Sequence, residues 1–141
     1  MPSKPAWLYN QSAVVPFRKF DDALELLLIT SIRRKRWIIP KGVIEQHLAP
    51  HESAAKEALE EAGVEGHVPD RLLGRYQYDK WGGTCSVQVF LMQVQLVLDD
   101  WDEAHARTRK WVSLEEAVSL LSEPDLCKLL HQVPTAVDAW F

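Results

Sequence analysis

The sequence predicts a single mixed α/β domain, and three observations carry that reading. The stretch Leu24 to Ile32 is an almost uninterrupted apolar run, the pattern of a strand covered on both faces. A helical pattern from about Glu52 to Ala62 interrupts the strand-like segments, which then resume. Two further helical stretches close the chain. With 141 residues and 47% hydrophobic content, the chain can bury a core without metal or disulfide staples. It shows no internal repeat, low-complexity tract or linker, so residues 1–141 read as one domain.

The elements follow in order. Residues 1–11 carry two prolines and read as an N-terminal tail or first edge. Ser12 to Phe17 and Leu24 to Ile32 alternate and concentrate apolar residues as strands do, with a charged turn at Arg18 to Asp22 between them. Trp37, Ile38 and Ile39 form a short strand that Pro40 ends, and Gly42 is expected to open a loop. On the predicted helix, Ala55, Ala58, Leu59 and Ala62 share one side, and Gly63 stands as the C-terminal stop. Leu72 to Tyr78 and Cys85 to Leu98 read as strands joined by a turn containing Gly82-Gly83. In the second of these the polar positions switch parity between Gln88 and Gln93, so its middle is buried on both faces or a bulge flips the register. Lys110 to Val112 reads as a last strand before helices Leu114 to Leu121 and Asp125 to Val133. Ser113 with Glu116 makes a capping box for the first, and Pro124 starts the second.

Composition narrows the function. The net charge of −4 argues against general nucleic-acid binding, and no apolar run approaches the length of a membrane span. The first ten residues have no long apolar stretch and no small-residue cleavage pattern, so a secretory leader is not expected. Cys85 and Cys127 have no zinc spacing; a disulfide between them is possible, but two buried thiols in a reducing, cytoplasmic setting are the expectation. The oligomeric state is not legible.

The charges that remain are clustered. Arg33, Arg34, Lys35 and Arg36 form one basic run, followed by Lys41; Arg107, Arg109 and Lys110 form another. Glu57, Glu60 and Glu61 stand at i, i+3 and i+4 on the predicted helix, within an arc of about 100° opposite the alanine–leucine face. Glutamate is a good helix former, so the triplet alone also describes a solvated face. Taken with the two basic clusters, it suits a polyanion held beside Mg²⁺ or Mn²⁺, hard cations that take carboxylate oxygens and bridge to phosphates.

The surrounding residues sharpen this. From Gly42 to Val64, with Gly42, Glu57, Glu60, Glu61, Gly63 and Val64 at fixed offsets, the segment resembles the box of the Nudix hydrolase family. That pattern reads Gly, five residues, Glu, seven residues, Arg-Glu, aliphatic, any, Glu-Glu, any, Gly, aliphatic. The preceding Arg-Trp-Ile-Ile-Pro-Lys-Gly and Glu45 also look like the family. Leu48 departs from the first Glu, Lys56 from the Arg, and Ala58 is smaller than usual. In the family the Arg helps orient the glutamate after it and can pair with the first Glu; a lysine offers a point charge without a bidentate fork. Further on, Leu98-Asp-Asp-Trp-Asp-Glu, then Arg107-Thr-Arg109-Lys-Trp111 and a helix with Glu-Glu-Ala-Val, look like the diphosphoinositol polyphosphate phosphohydrolase branch, which also cleaves long diadenosine polyphosphates. The loop Asp79 to Thr84 offers only Lys80 beside Trp81-Gly-Gly where that branch is basic.

The resemblance implies a Nudix-type α/β/α sandwich with a mixed central sheet and a metal-dependent pyrophosphohydrolase acting on a dinucleoside polyphosphate or diphosphoinositol polyphosphate. Metal would be held by Glu57, Glu60, Glu61 and a carbonyl near Gly42, with one of the three glutamates, unassigned, as general base. Arg33, Arg36, Lys41, Lys80, Arg107 and Arg109 are the candidates for gripping a phosphorylated small molecule. Trp81 either stacks on a base or packs; Trp37, Trp101 and Trp111 are expected to pack, as are Cys85 and Cys127. His47 and His51 flank the box loop as exposed side chains. Two alternatives remain open: removal of pyrophosphate from nucleoside triphosphates or RNA 5′ ends, and a non-catalytic nucleotide-binding module.

Overall fold

The computed structural model describes residues 4–141. After a 3₁₀ turn at Ala6–Tyr9, the chain runs β1 (Asn10–Phe20), β2 (Ala23–Thr30), β3 (Trp37–Ile38) and β4 (Lys41–Val43). Helix α1 (Pro50–Glu57) continues without a break into a π-helical turn, Ala58–Ala62. Then come β5 (Val64–His67), β6 (Gly74–Lys80), β7 (Gly83–Val97), β8 (Arg109–Val112), α2 (Leu114–Leu120), α3 (Pro124–Leu130) and α4 (Val133–Trp140).

The sheet is mixed, with order β3-β2-β1-β7-β5. β1 and β7 pair in parallel from Asn10↔Ser86 to Phe17↔Gln93, and the other pairings are antiparallel. β1 pairs β4 through Gln11–Ala13 and β2 through Phe17–Phe20. Pro16, which has no amide proton to offer, falls between the two partners.

Alternation along the central strands builds two cores. Val15, Phe17, Leu26, Leu28, Val87, Val89 and Leu91 face one side and pack under α2, α3 and α4 with Leu126, Leu130 and Val137. Val14, Leu27, Ile29, Phe90 and Met92 face the other and pack under α1 with Ala54, Ala58 and Ala62. The three alanines recur every four residues and have no exposed surface, so the helix backbone lies close on the sheet. With Ala58 wholly buried against the sheet, a larger side chain there would have to be accommodated by the core. Helices thus cover both faces, as expected of an α/β/α sandwich.

Several boundaries move. The first hairpin turn is Asp21-Asp22 alone, both at positive φ (50° and 64°), with Arg18 and Lys19 inside β1. The second is Trp81-Gly82 (φ 57° and 71°), with Gly83 already in β7. Gly42 lies in β4, opposite Ser12, because a partner 30 residues upstream turns the expected loop into a strand. In β7 the first reading of the parity switch holds: Val89 to Met92 are all buried and the register against β1 is unbroken through Gln93, while the slip against β5, at Gln95, comes after the switch. Two further elements went unread, β5 and α4. Cys85 and Cys127 are free thiols, the first buried and the second only half-buried.

Candidate active site

α1 starts with Pro50 at its first turn, and the Glu52 carboxylate accepts from the Ala49 amide at 2.9 Å. Glu57, near its end, and Glu61, in the π turn, face the strand β4. Gly42 is what admits Glu57: a Cβ there would overlap Oε1 and the carboxyl carbon and stand 2.9 Å from Oε2. Because Gly42 faces the helix, the neighbouring Lys41 sends its side chain to the opposite face of the sheet. There its ammonium lies 4.7 Å from the Tyr78 ring centre.

The two carboxyl groups form a close pair, Glu61 buried and Glu57 half-buried. Glu61 is 8% exposed. It accepts from the Lys41 amide at 3.2 Å and lies 3.7 Å from Arg107 Nη2. Burial, then the negative charge of Glu57, pushes its carboxyl up to about 8, although Arg107 opposes the shift. Burial likewise raises Glu57, and the two groups hydrogen-bond to each other. Two acids packed in this way are stable with a shared proton or with a cation between them. Hard oxygen donors in such a pair fit Mg²⁺ or Mn²⁺. Among the described residues, however, no three acidic, imidazole or thiolate groups converge as a ready cage. Glu60 is the member held apart: it lies 3.8 Å from Lys56, which is itself bonded to Glu45 at 2.7 Å. Lys56 therefore has a carboxylate partner despite Leu48, supplied from three residues earlier in the chain.

The cations divide. Arg107 is brought to the site, but its side chain is 8% exposed and committed: Nε donates to Glu103 at 2.8 Å and Nη1 to the Thr30 carbonyl at 3.0 Å. Arg33, Arg34 and Arg36 line one open depression with Arg107 and Ile38. Lys41, held below its ordinary range by burial and then by Lys80, stands with Lys80 on the other side. Trp81 is half-buried, edge-on to Tyr9 at 6.0 Å, with the Lys80 ammonium 4.6 Å from its ring centre. Arg109 does not fit the expected phosphate-gripping role. Its guanidinium donates to the carbonyls of Ala62 (2.9 Å), Gly63 (3.4 Å) and Leu98, and lies 4.0 Å from the Trp101 ring centre. His47 is exposed beside Glu45, and His51 lies 3.5 Å from Asp70. Sequence reasoning missed Glu103, which reaches the site only because its amide donates to the Glu60 carbonyl at 3.1 Å; its place in the acidic run after Leu98 was the available signal.

A NUDIX domain profile matches residues 9–133. The chain belongs to the Nudix family. Divalent-metal dependence is a general property of Nudix hydrolases. The Nudix chain is 36% identical over 119 residues to mouse diphosphoinositol polyphosphate phosphohydrolase 3-alpha, covering 83% of this chain and 71% of that protein. It is 34% identical over 109 residues to Nudix hydrolase 12, mitochondrial, of Arabidopsis thaliana, covering 72% of this chain but only 54% of the plant protein. In fold it is similar to the Ap4A hydrolase of C. elegans, with a TM-score of 0.76 and 22% identity over 93% of this chain and 98% of that one. Among the described residues no helix is long and apolar enough to cross a membrane.

Proposed function

We propose that this Nudix domain is a metal-dependent pyrophosphohydrolase that cleaves a phosphoanhydride bond of dinucleoside or diphosphoinositol polyphosphates. The observation that carries the reading is the close Glu57–Glu61 carboxyl pair, Glu61 buried and Glu57 half-buried, set against Gly42 beside Arg107. Similarity to the mouse phosphohydrolase supports the polyphosphate class, and the fold shared with the worm Ap4A hydrolase is compatible with it.

Glu57 and Glu61 would hold Mg²⁺ or Mn²⁺, with Glu60 joining on release from Lys56. When bound, such an ion supplies Lewis acidity and neutralises phosphate charge. The Lys41 amide and Arg107 hold Glu61 in a fixed orientation from two directions, so little rearrangement is needed at the moment of reaction. A carboxylate left free by the ion takes the proton of the attacking water. Arg33 and Arg36, exposed in the depression that Arg107 also lines, would grip one end of a linear chain of phosphates, and Lys80 would take the other, with Lys41 adding positive charge from the far face of the sheet. An inositol ring needs cations around it, and the 79–84 loop provides only Lys80. Dinucleoside polyphosphates with four or more phosphates are therefore the favoured substrates.

The test is quantification of separated products, with Mg²⁺ and then with Mn²⁺: the two nucleotides from a dinucleoside tetraphosphate or pentaphosphate, phosphate from a diphosphoinositol compound, and pyrophosphate or phosphate from a nucleoside triphosphate and a capped or triphosphorylated RNA. The highest kcat/KM on the long dinucleoside polyphosphates is expected. A preference for diphosphoinositol compounds would overturn the substrate assignment alone; binding without turnover on every substrate would overturn the enzymatic reading. Localisation in the cytoplasm is part of the proposal, and a fluorescent fusion of the chain tests it.

A further inference from the structure

The end of the metal-facing helix is held by backbone contacts that all come from one segment, residues 98–109. Four successive carbonyls are taken in turn. Glu60 O accepts from the Glu103 amide at 3.1 Å, and Glu61 O from Trp101 Nε1 at 3.0 Å. Ala62 O accepts from Arg109 at 2.9 Å, and Gly63 O from the Leu98 amide at 2.8 Å and from Arg109 at 3.4 Å. These are the carbonyls a helix C-terminus leaves without intrahelical partners. Trp101 and Arg109 also hold each other, with the guanidinium 4.0 Å from the indole centre. A Cβ on Gly63 would meet both at 2.7–2.8 Å, so the fit leaves no room for play. The turn so held is the π-helical one, Ala58–Ala62, whose widened backbone sets the direction of the Glu60 and Glu61 side chains.

We propose that Trp101 and Arg109 are positioning residues: by clamping the carbonyls of residues 61–63 they fix the rotation of the π turn and so aim Glu61 at the metal. This rests on the reading of Glu57, Glu60 and Glu61 as metal-holding residues. The same segment carries Glu103 and Arg107, so the guanidinium that meets Glu61 and the clamp that orients Glu61 move together. A role confined to stability would lower the melting temperature and leave metal affinity untouched at temperatures where the protein is folded.

The experiment is Mn²⁺ titration of the substrate-free protein, followed by the electron paramagnetic resonance signal of free Mn²⁺, well below each variant's melting temperature. Trp101→Phe keeps an aromatic face for Arg109 and removes the Nε1 donor. Arg109→Lys keeps the charge and loses the fork that spans three carbonyls. Val137→Ala, a core change in α4 on the far side of the sheet, serves as the destabilised control. Trp101→Phe is expected to weaken Mn²⁺ binding about fivefold, the scale of one neutral hydrogen bond. Arg109→Lys should weaken it further, and Val137→Ala should bind as the unaltered protein does. Unchanged affinity in both clamp variants would overturn the proposal, and so would an equal loss in the control. Failure of the unaltered protein to bind Mn²⁺ would overturn the metal reading itself and the clamp with it, an outcome told apart because it does not depend on any substitution.

Discussion

Glu61→Gln is expected to make the metal-free protein more stable at alkaline pH while abolishing turnover. The Glu61 carboxyl, 8% exposed, is pushed from its ordinary 4.5 up to about 8 by burial and then by Glu57. A carboxyl raised in the folded state contributes stability that is complete below the unfolded value and is lost as pH rises through the folded one. The window is therefore from about pH 4.5 to 8. By linkage that interval has a ceiling of about 5 kcal/mol. Relaxation and water entry around a newly formed buried charge reduce it, so we expect about 2–3 kcal/mol to be observed. For a domain of this size that corresponds to a fall of roughly 10 °C in Tm between pH 5.5 and 8.5 in the presence of a chelator. The Gln amide keeps the shape and has no proton to lose, so the variant's profile should be much flatter. Mg²⁺ at pH 8.5 should restore the Tm of the unaltered protein and leave the variant unmoved. Differential scanning calorimetry with and without chelator makes the comparison, and nucleotide formation from a dinucleoside tetraphosphate gives the rate, which should fall on the order of 100-fold or more. Parallel pH profiles for the two proteins, or a metal-free protein that gains stability from pH 5.5 to 8.5, would refute the buried-pair argument.

Three further outcomes follow from particular contacts. Gly42→Ala places a Cβ on the Glu57 carboxylate, at the flexible end of that side chain, so circular dichroism should stay unchanged while Mn²⁺ titration shows clearly weakened binding. Lys56 is already engaged by Glu45 at 2.7 Å, so in a kinetic cycle Glu45→Gln and Lys56→Met should be strongly non-additive. Leu48→Glu with Lys56→Arg, which restores the box pattern, should be close to additive, and a large synergy in kcat would show that Glu45 had not taken over the pairing. Ala58→Leu inserts three carbons at a fully buried position between α1 and the sheet, and urea unfolding should show a loss of about 1–3 kcal/mol.

What was legible in the sequence was what local pattern determines. The apolar run of β2 marks a central strand because both faces are covered, and Leu26 to Ile29 indeed divide alternately between the two cores. Gly63 ends the helix at φ 66°, where a residue without Cβ is favoured. Elements decided by distant partners were not legible. β4 is three residues long and is a strand only because Gln11–Ala13 lie beside it. β5, with Glu65 and Gly66 at its centre, has no strand-like composition and is held by the end of β7. Asp125 to Val133 reads as one helix, yet α3 ends at Leu130 and a separate helix, α4, begins at Val133 with Pro134 tolerated in its first turn.

The site divides in the same way. The spacing of Glu57, Glu60 and Glu61 placed them near one another because a helix repeats locally, but it did not show that Glu60 turns toward Lys56 while Glu57 and Glu61 turn inward. Arg107 and Arg109 are two residues apart and look alike as cations in a basic cluster. One ends at a carboxylate, 3.7 Å from Glu61; the other ends at backbone carbonyls that the box helix leaves open at its C-terminus. Those carbonyls have no sequence signature of their own, since every residue carries one. A guanidinium serves either target because its donors fan out in a plane, and only the position of the helix end against β8 decides which target each one meets. On the proposed reading, the arginine that sequence would assign to the substrate instead aims Glu61, and the phosphate contacts would fall to Arg33 and Arg36, whose loop leaves them exposed at the edge of the depression that Arg107 also lines.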